Sequence, residues 1–450
     1  MASIIRRAGV VVAVSGIAWW LFADTYARHV PSWMDKSEIR FAHFGSFQDY
    51  ALWRDLIRDF ERRHPDIRIH QEYVVGLGGR YHTKMRQQIL SHTLPDVALI
   101  QLGPFHDLAE HFADLTALLP SSDGENRELA ASLDELALKA FQVQGRQRAL
   151  PVSGGNLLIF GNRECFTRAS QFRGVPIPIP EDDWNINDFR RIAGLLTCDF
   201  DGDGRSDQFG FWLPRWIYYL PFLWSFGAEL TDDRMSEWTL YGTEAEAALS
   251  FYQDLAVTDH VSPRDEEVPQ MFQDVGFLTG KVAMCINGPW FLPFLAKTRL
   301  ADSFFVAPIP TGPAGRVTRI TWDGAVMASH LPPRRRQAAQ RFMQFLVSKH
   351  AQDAIGQTGR AIPARRASQR SFTEPANDPR RAQFVEALNY SRLQPLLPHF
   401  SRVDRAINKH LLDLLTPGPN SRPEIVLAEL QADPAIRRAF ALQVNEDPDR

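Results

Sequence analysis

A run of aspartates at residues 199–211, DFDGDGRSDQFGF, has a spacing typical of metal binding. In a calcium-binding loop, carboxylates at positions 1, 3, 5 and 9 and a glycine at position 6 surround the cation. Here position 6 is Gly204, but position 12, which normally carries a bidentate Glu, is Gly210. The candidate ligands are Asp199, Asp201, Asp203 and Asp207. The loop could hold a structural Ca²⁺, or its carboxylates could cap backbone amides in an Asp-Gly turn, and the missing Glu favours the turn.

Aromatic side chains offer a second kind of chemistry, the stacking of flat rings on a ligand. In residues 277–291, FLTGKVAMCINGPWF, a short apolar strand ends at Gly288 and Pro289 and leaves Trp290 beside its carboxyl end. Ligands of α/β folds bind at that end of the strands. Trp290 is therefore a candidate binding residue, although a ring at this position can equally pack in the core.

The densest aromatic stretch spans residues 211–230. At helical spacing one face of this stretch must be core, and the other face could present Trp216, Tyr218 or Tyr219 to a ligand. The whole chain contains 11 Trp and 30 Phe, and this richness favours a ligand-binding protein.

Motifs for catalysis are missing. The sequence has no GxSxG, HExxH or P-loop pattern, so no catalytic residue is predicted. Cys165, Cys198 and Cys285 form no CxxC pair and allow at most one disulfide, and buried small apolar residues are the simpler interpretation. An exported glycoside hydrolase, which needs two carboxylates roughly 5 to 10 Å apart in one cleft, remains the enzyme alternative.

Composition sets broad limits. The chain has 450 residues, of which 44% are hydrophobic and 23% charged, so it can form two or three lobes. Its 50 basic and 53 acidic residues give a net charge of −3. This balance predicts no nucleic-acid partner.

The N-terminal residues 1–36 predict an export signal, or an uncleaved membrane anchor, followed by a polar tether. Arg6 and Arg7 precede 16 uncharged residues, 8–23, which form a basic region followed by an apolar core. The apolar run is shorter than the roughly 20 residues of a spanning helix. We therefore expect the rest of the protein to lie outside the cytoplasm, and membrane association through this segment stays open.

From residue 37 the patterns alternate between strand and helix. This order predicts a parallel sheet with right-handed crossovers. The residues that fall at or after predicted strand ends, and should share one edge, include Phe44, Ser46, Arg80, Tyr81 and Gln101.

These features together resemble a family 1 extracellular solute-binding protein, the sugar-binding receptor of an ABC importer, related to maltodextrin-binding protein. The resemblance covers residues from about 39 to about 430. The matching motifs, in order, are Phe60-Glu61 with Pro65, Tyr81 with Lys84, Pro95-Asp96-Val97, Pro151, residues 201–210, Gly280-Lys281, Ala283-Met284, Gly288-Pro289-Trp290, Gly359 and Pro363.

The resemblance implies an α/β, two-lobed periplasmic-binding-protein-like fold with a hinge and a ligand cleft between the lobes. It places residues 37–150 and 304–359 in the first lobe and residues 151–303 and 360–450 in the second. It also implies an extracytoplasmic receptor that passes a carbohydrate to ABC permease subunits and requires no cofactor.

Aromatic planes stack on the apolar faces of a sugar, and polar side chains bind its hydroxyls. With the resemblance, the expected stacking residues are Trp290, Trp322, Phe44, Tyr81, Trp216 and Tyr219. The expected polar residues are Asp323, Gln101, Asn156, Ser46, Arg80 and Arg360.

Two departures from the family pattern concern the solute. The usual Tyr-Asn-Lys is Phe160-Gly161-Asn162 here, and Gly154-Gly155-Asn156 occupies a region that often supplies a sugar-binding carboxylate. The substrate can differ accordingly, and a polyol or glycerophosphodiester remains open. A sensor that docks onto a membrane receptor in its closed form is a further alternative.

Overall fold

The computed structural model describes residues 36–76, 78–119, 130–269, 271–374, 378–397, 399–419 and 421–444, and it describes only the backbone of residue 216 and of residues 442–444. The predicted export segment therefore lies outside the described residues, apart from Lys36. Within the described ranges, none of the helices is both long and apolar enough to cross a membrane.

The strands and helices alternate along most of the chain. The strands are β1 Ser37–Gly45, β2 Ile67–Val75, β3 Val97–Gln101, β4 Gln142–Val143, β5 Arg146–Gln147, β6 Leu150–Asn156, β7 Leu158–Asn162, β8 Phe209–Phe211, β9 Val282–Asn287, β10 Phe304–Ala307, β11 Thr318–Met327, β12 Ile362–Pro363 and β13 Ser391–Leu393. The α-helices are α1 Phe47–Arg63, α2 Gly79–Leu90, α3 Leu102–Leu108, α4 Glu135–Ala140, α5 Arg163–Arg173, α6 Ile186–Leu196, α7 Leu220–Ser225, α8 Thr243–Gln253, α9 Gln273–Thr279, α10 Leu292–Leu295, α11 Pro333–Leu346, α12 Lys349–Gln357, α13 Arg370–Thr373, α14 Pro379–Glu386, α15 Phe400–Leu415, α16 Pro423–Ala432 and α17 Pro434–Val444.

The first lobe is built on a seven-stranded sheet in the order β12-β6-β11-β3-β1-β2, with β13 also paired to β11. As predicted, β1 runs parallel to both β2 and β3. The later strand β11 enters antiparallel to β3 and β6. The carboxyl ends of β1 and β3 therefore meet at one edge, which faces the second lobe.

Helix α1 shows how local sequence fixes this edge. Ser46 and Asp49 form a capping box at its start, and each side chain bonds the backbone amide of the other residue. One stripe of the helix, which includes Trp53, Leu56 and Phe60, is buried against the sheet. The cap thus sets where the helix begins, directly after β1.

The second lobe is built on a four-stranded sheet in the order β10-β7-β9-β8. Successive residues of β7 point to opposite faces, so Ile159 joins one hydrophobic cluster while Leu158 and Phe160 join another. Helices α15 to α17 pack on the first of these clusters, which makes the C-terminal helices part of this lobe.

The sheets place three boundaries differently from the prediction. Strand β6 pairs with β11 in the first sheet, so the chain leaves the first lobe after Asn156 rather than at residue 150. Strand β10 belongs to the second sheet, although residues 304–359 were expected in the first lobe, and β12 belongs to the first sheet although residues 360–450 were expected in the second.

The first of these differences has a physical reason in the glycines of β6. Glycines in a sequence suggest that a strand ends, but here they lie within the strand and allow close packing. A Cβ on Gly154 would lie 2.4 Å from Cε3 of Trp322, so the glycine admits the indole ring. Strand β11 is continuous, with an irregular register between Asp323 and Gly324.

The segments that cross between the lobes are bonded to each other. The amide of Leu157 donates to the carbonyl of Arg319 at 3.1 Å. The hydroxyl of Thr318 donates to the carbonyl of Leu157 at 2.5 Å. Any hinge motion of the lobes must therefore turn these two segments together.

All three cysteines are free and buried. Burial raises the pKa of the Cys165 thiol to about 12 and the pKa of Cys285 well above its usual range. These thiols pack as small apolar side chains, as the sequence suggests.

Candidate functional site

A cleft of about 930 Å³ lies between the two lobes. The first lobe contributes residues 45–49 at the start of α1 and Arg360 in the loop before β12. The second lobe contributes Trp212, Arg215 and Tyr218, the segment around α9, and the residues that follow β9. The cleft thus lies at the carboxyl ends of β1 and β9, where α/β folds bind ligands.

An ion pair forms the polar part of the first-lobe wall. The Nε of Arg360 lies 2.9 Å from Oδ1 of Asp49, a side chain that is only 2% exposed. The other oxygen, Oδ2, accepts from the amide of Ser46 at 2.6 Å and from its hydroxyl at 2.7 Å. Both oxygens of Asp49 are therefore engaged, and the guanidinium of Arg360 is held at the cleft.

Large apolar side chains face the cleft from both lobes. Phe47 in the first lobe is 77% exposed, and Phe272 and Phe294 in the second lobe are 75% and 47% exposed. Trp212 and Tyr218 are half-buried and line the same space. Exposed rings collected in one concavity indicate a binding surface rather than chance exposure.

Trp290 lies at the end of β9, where the sequence predicts it. Its ring folds back over Gly288. A Cβ added at Gly288 would lie only 2.3 Å from Cη2 of Trp290, so this arrangement requires a glycine. Trp290 is partly buried against two hydrophobic clusters of the second lobe and also lines the cleft. The residue therefore serves the core and the cleft wall together.

Polar groups of the second lobe are arranged in pairs. Asn287 donates from Nδ2 to Oδ1 of Asp274 at 3.1 Å. Burial raises the pKa of Asp274, and the Asn287 amide opposes this shift. Arg215 and Asp265 form a bidentate pair with distances of 2.7 and 3.0 Å.

Asp323, within strand β11, interacts electrostatically with both members of the first-lobe ion pair, Arg360 and Asp49. It is half-buried and pairs in register with Gln101 of β3. Burial raises the pKa of the Asp323 carboxyl to about 7; Asp49 adds to this shift and Arg360 opposes it. Asp323 is thus a carboxyl group that titrates near neutral pH beside the cleft.

The structure brings three of the twelve predicted binding residues into the cleft wall: Ser46, Arg360 and Trp290. Asp323 interacts electrostatically with Arg360, and Gln101 is half-buried beside Asp323. The side chain of Trp216 lies outside the described part.

The other six predicted residues are placed elsewhere. Arg80 is exposed and does not line the cleft, while five side chains are buried in the lobes: Phe44, Tyr81, Asn156, Tyr219 and Trp322.

The buried polar members of this group have internal partners. The Tyr81 hydroxyl donates to the carbonyl of Leu99 at 2.7 Å. Asn156 donates to the carbonyl of Phe384 at 2.9 Å, and the Tyr219 hydroxyl donates to Asp404 at 3.0 Å. Their hydrogen bonds hold elements together, so a ligand in the cleft does not reach these groups in this arrangement.

Several cleft residues are not among the twelve expected binding residues, although Tyr218 was one of three candidates in the aromatic stretch. Asp49 could have been found as the acid three positions after Ser46, a capping-box spacing directly after a strand. Tyr218 belongs to the predicted aromatic stretch, in a 3₁₀ turn, Trp216–Tyr219, rather than a continuous helix. Phe47 and Phe272 give no sequence signal, because their exposure depends on the placement of the two lobes.

The acidic loop is held largely by its own amides. Asp199 accepts from the amides of Gly202 and Gly204 at 2.7 and 2.8 Å, and these bonds lower the pKa of its carboxyl. Carboxylate oxygens of Asp199, Asp201 and Asp207 lie within 4.8 Å of one another, whereas Asp203 is outside this group. The three clustered oxygens fit a cation and the amide bonds fit a capped turn, so calcium binding stays a prediction.

Solved structures share this two-lobed fold. An ABC substrate-binding protein, Lmo0181 from Listeria monocytogenes in complex with cycloalternan, is 20% identical, with a TM-score of 0.78 over 90% of this chain and 100% of that one. The GacH receptor of Streptomyces glaucescens is 20% identical, with a TM-score of 0.73 over 90% and 99% of the two chains. Maltose-bound T. maritima MalE3 is 19% identical, with a TM-score of 0.71 over 88% and 99%.

The sequence itself matches a family model described as bacterial extracellular solute-binding protein, over residues 44–353. This range runs from the end of β1 into α12. It includes the whole second sheet, strands β2, β3, β6 and β11 of the first sheet, and every residue of the cleft wall except Arg360. It confirms the resemblance drawn from the motifs: the chain belongs to the family of bacterial extracellular solute-binding proteins.

Proposed function

We propose that this solute-binding protein captures a carbohydrate in the cleft between its lobes and delivers it to the permease subunits of an ABC transporter. The observation that carries the proposal is the cleft itself, which combines exposed rings from both lobes with fixed polar pairs. A sugar presents apolar C–H faces and a rim of hydroxyls, and these need flat rings and hydrogen-bonding groups together.

The polar pairs suit neutral, hydroxyl-rich ligands. Arg360 and Arg215 each face a carboxylate, so neither guanidinium depends on an anionic ligand for its counter-charge. Hydroxyl groups both donate and accept, and can therefore bind either member of such a pair. Among the structural relatives, Lmo0181 binds cycloalternan, GacH binds acarbose and MalE3 binds maltose, which supports the same class of ligand here.

Closure of the lobes supplies the transport signal in this proposal. Phe47, Asp49 and Arg360 belong to the first lobe, whereas Trp290 and Phe272 belong to the second. A ligand that contacts both sets binds the closed form more tightly than the open form, and so shifts the population toward closure. The closed form is then what the permease recognises.

The arrangement of the cleft carboxylates supports binding rather than catalysis. A glycoside hydrolase needs two accessible carboxyl groups that face the same bond. Among the described cleft residues, Asp49 is nearly buried, Asp265 is paired with Arg215, and Asp274 holds Asn287. We therefore propose that the sugar leaves the cleft unchanged.

The extracellular family and the basic-then-apolar N-terminal segment support an extracytoplasmic protein. We propose that residues 1–36 direct export and, if uncleaved, keep the receptor at the membrane beside its transporter.

A thermal-shift screen of the full chain against monosaccharides, oligosaccharides and polyols tests the function. A ligand that binds only the folded state, at about a hundred times its dissociation constant, adds about 2.7 kcal/mol to the free energy of unfolding. We expect one saccharide class to raise the unfolding midpoint, and chromatography to recover that sugar intact after prolonged incubation. Breakdown of the sugar would favour the enzyme alternative, and no shift with any saccharide would count against carbohydrate capture.

A further inference from the structure

A second, smaller cavity adjoins the cleft within the second lobe. Its volume is about 240 Å³, about a quarter of the 930 Å³ of the cleft. Trp212, Arg215 and Asp265 line both spaces, so they form a common wall. The far side of the cavity is formed by the loop at residues 262–266 and the C-terminal end of α15. The cavity is therefore a side pocket of the cleft and has room for one sugar ring.

The side pocket contains polar groups that can bind hydroxyls. Within the described ranges, the Nε of Arg264 is buried and has no hydrogen-bond partner. A buried donor in this state normally has a water or ligand as its partner. The hydroxyl of Ser262, which is 7% exposed, accepts from the amide of Leu213 at 3.0 Å and keeps its own hydrogen for donation. Arg264 and Ser262, the residues that carry these two donors, both line the pocket.

The common wall offers an apolar plane. The indole of Trp212 lies against Gly276, where an added Cβ would be 3.4 Å from Cζ3. The Trp212 amide donates to the carbonyl of Met284 at 2.9 Å, which ties this residue to β9. An anchored flat ring beside hydroxyl-binding groups is the combination that sugars require.

We infer that the side pocket is a subsite that takes one ring of an oligosaccharide whose other part occupies the cleft, an inference that rests on the proposed carbohydrate function. All of its lining belongs to the second lobe, so the subsite exists before the lobes close. It strengthens the binding of sugars long enough to pass Arg215 and Asp265, and it leaves the binding of single rings unaffected.

Filling the pocket with a bulky side chain tests the inference. Thr416 is exposed at the end of α15 and lines the side pocket but not the cleft. In the full chain, T416W is compared with wild type by calorimetric titration with glucose, maltose, maltotriose, isomaltose, cellobiose and xylobiose. Arg405, exposed on the same helix about two turns before the first lining residue of that helix, Leu412, and absent from both linings, provides the matched control R405W.

We expect wild type to bind at least one oligosaccharide more tightly than its monosaccharide, and T416W to weaken that binding about tenfold. Monosaccharide binding should be unchanged in T416W, and R405W should behave as wild type. If T416W does not fold, E266W fills the pocket from the opposite loop.

Two results would overturn the subsite alone: equal oligosaccharide affinity in wild type and the filled variants, or wild type that binds only single rings. If wild type binds none of these sugars and none in the wider screen, the proposed carbohydrate function fails and the subsite fails with it. These outcomes separate the two proposals.

Discussion

The guanidinium of Arg360 and the carboxylate of Asp49 join two distant parts of the first lobe at 2.9 Å, on the wall of the cleft. Asp49 caps helix α1 through Ser46, and Arg360 precedes strand β12. One carboxylate thus fixes the start of a helix and the position of a cationic side chain that a ligand can reach. The pair couples stability to the shape of the site.

Arg360→Gln is expected to lower the free energy of unfolding by about 2–4 kcal/mol, because it leaves the nearly buried Asp49 carboxylate without its counter-charge. Urea denaturation measures the loss. The double variant Asp49→Asn with Arg360→Gln is the control, and it should recover part of the loss since it removes both charges. Strictly additive losses would show that the two side chains do not depend on each other.

Phe272→Ala is expected to weaken binding of the saccharide found in the screen by about 1–3 kcal/mol, because the exposed ring faces the cleft. Phe172→Ala is a matched control, since Phe172 is 52% exposed in the same lobe but does not line the cleft. Calorimetric titration compares the two variants. Equal affinities in both would mean that Phe272 makes no contact with the sugar.

Trp290→Ala is expected to reduce affinity by about 1–3 kcal/mol if the ring stacks on the sugar. Because Trp290 also packs against hydrophobic clusters of the second lobe, some loss of stability should accompany the loss of affinity. Trp290→Phe keeps an aromatic plane and should retain most of the binding. Unchanged affinity with lowered stability in Trp290→Ala would assign the residue to the core alone.

Asp323 should make stability fall as pH rises. Its pKa is about 7 in the folded protein against an ordinary value of 3.8, so between these values the folded state binds more protons than the unfolded state. The stabilisation of the folded state by the protonated Asp323 carboxyl is complete below about pH 4 and is lost as the pH rises through about 7. Asp323→Asn should therefore gain about 1–4 kcal/mol over wild type between pH 5 and pH 8, measured by urea denaturation at both values.

Comparison with wild type at each pH is essential, because burial lowers the pKa of His43 to about 4 and this side chain acts in the opposite direction. Asp413→Asn, on the exposed side of α15, controls for the loss of one negative charge. A pH profile of Asp323→Asn parallel to that of wild type would show that Asp323 has no raised pKa.

The acidic loop should be held by its carboxylate-to-amide bonds. Asp199→Ala removes the bonds to Gly202 and Gly204, and we expect it to lower the free energy of unfolding to the same extent with or without EDTA. Addition of Ca²⁺ is the discriminating measurement. A Ca²⁺-induced rise in the unfolding midpoint that disappears in Asp199→Ala would support a structural calcium site instead.

Local rules were enough to predict those parts of the fold that depend on neighbouring residues. The strand that ends at Asn287, the turn through Gly288 and Pro289, and the position of Trp290 follow from hydrophobic periodicity and turn chemistry. The lobe boundaries did not follow, because Gly154 looks like an interruption until the indole that it accommodates, from Trp322, is known.

The same limit applies to the site. Trp322 and Tyr219 are aromatic and could stack on a sugar, but both are buried in the lobes. Which face of a strand or helix is buried depends on long-range packing, which the local sequence does not show. Phe272, in contrast, lies in an unremarkable segment and becomes part of the cleft only when the second lobe is assembled. Residue types predicted the chemistry of the site. Which aromatic and polar residues a ligand can reach is decided by tertiary structure.

The burial of all three cysteines makes the protein suited to site-specific labelling. Maleimides react with exposed thiolates, and Cys165, Cys198 and Cys285 are enclosed, each with a pKa that burial raises. Leu90→Cys and Phe172→Cys would introduce two accessible thiols, one on each lobe and both outside the cleft lining, without removal of any native cysteine. A donor and an acceptor dye at these positions would turn the receptor into an optical reporter of its own ligand.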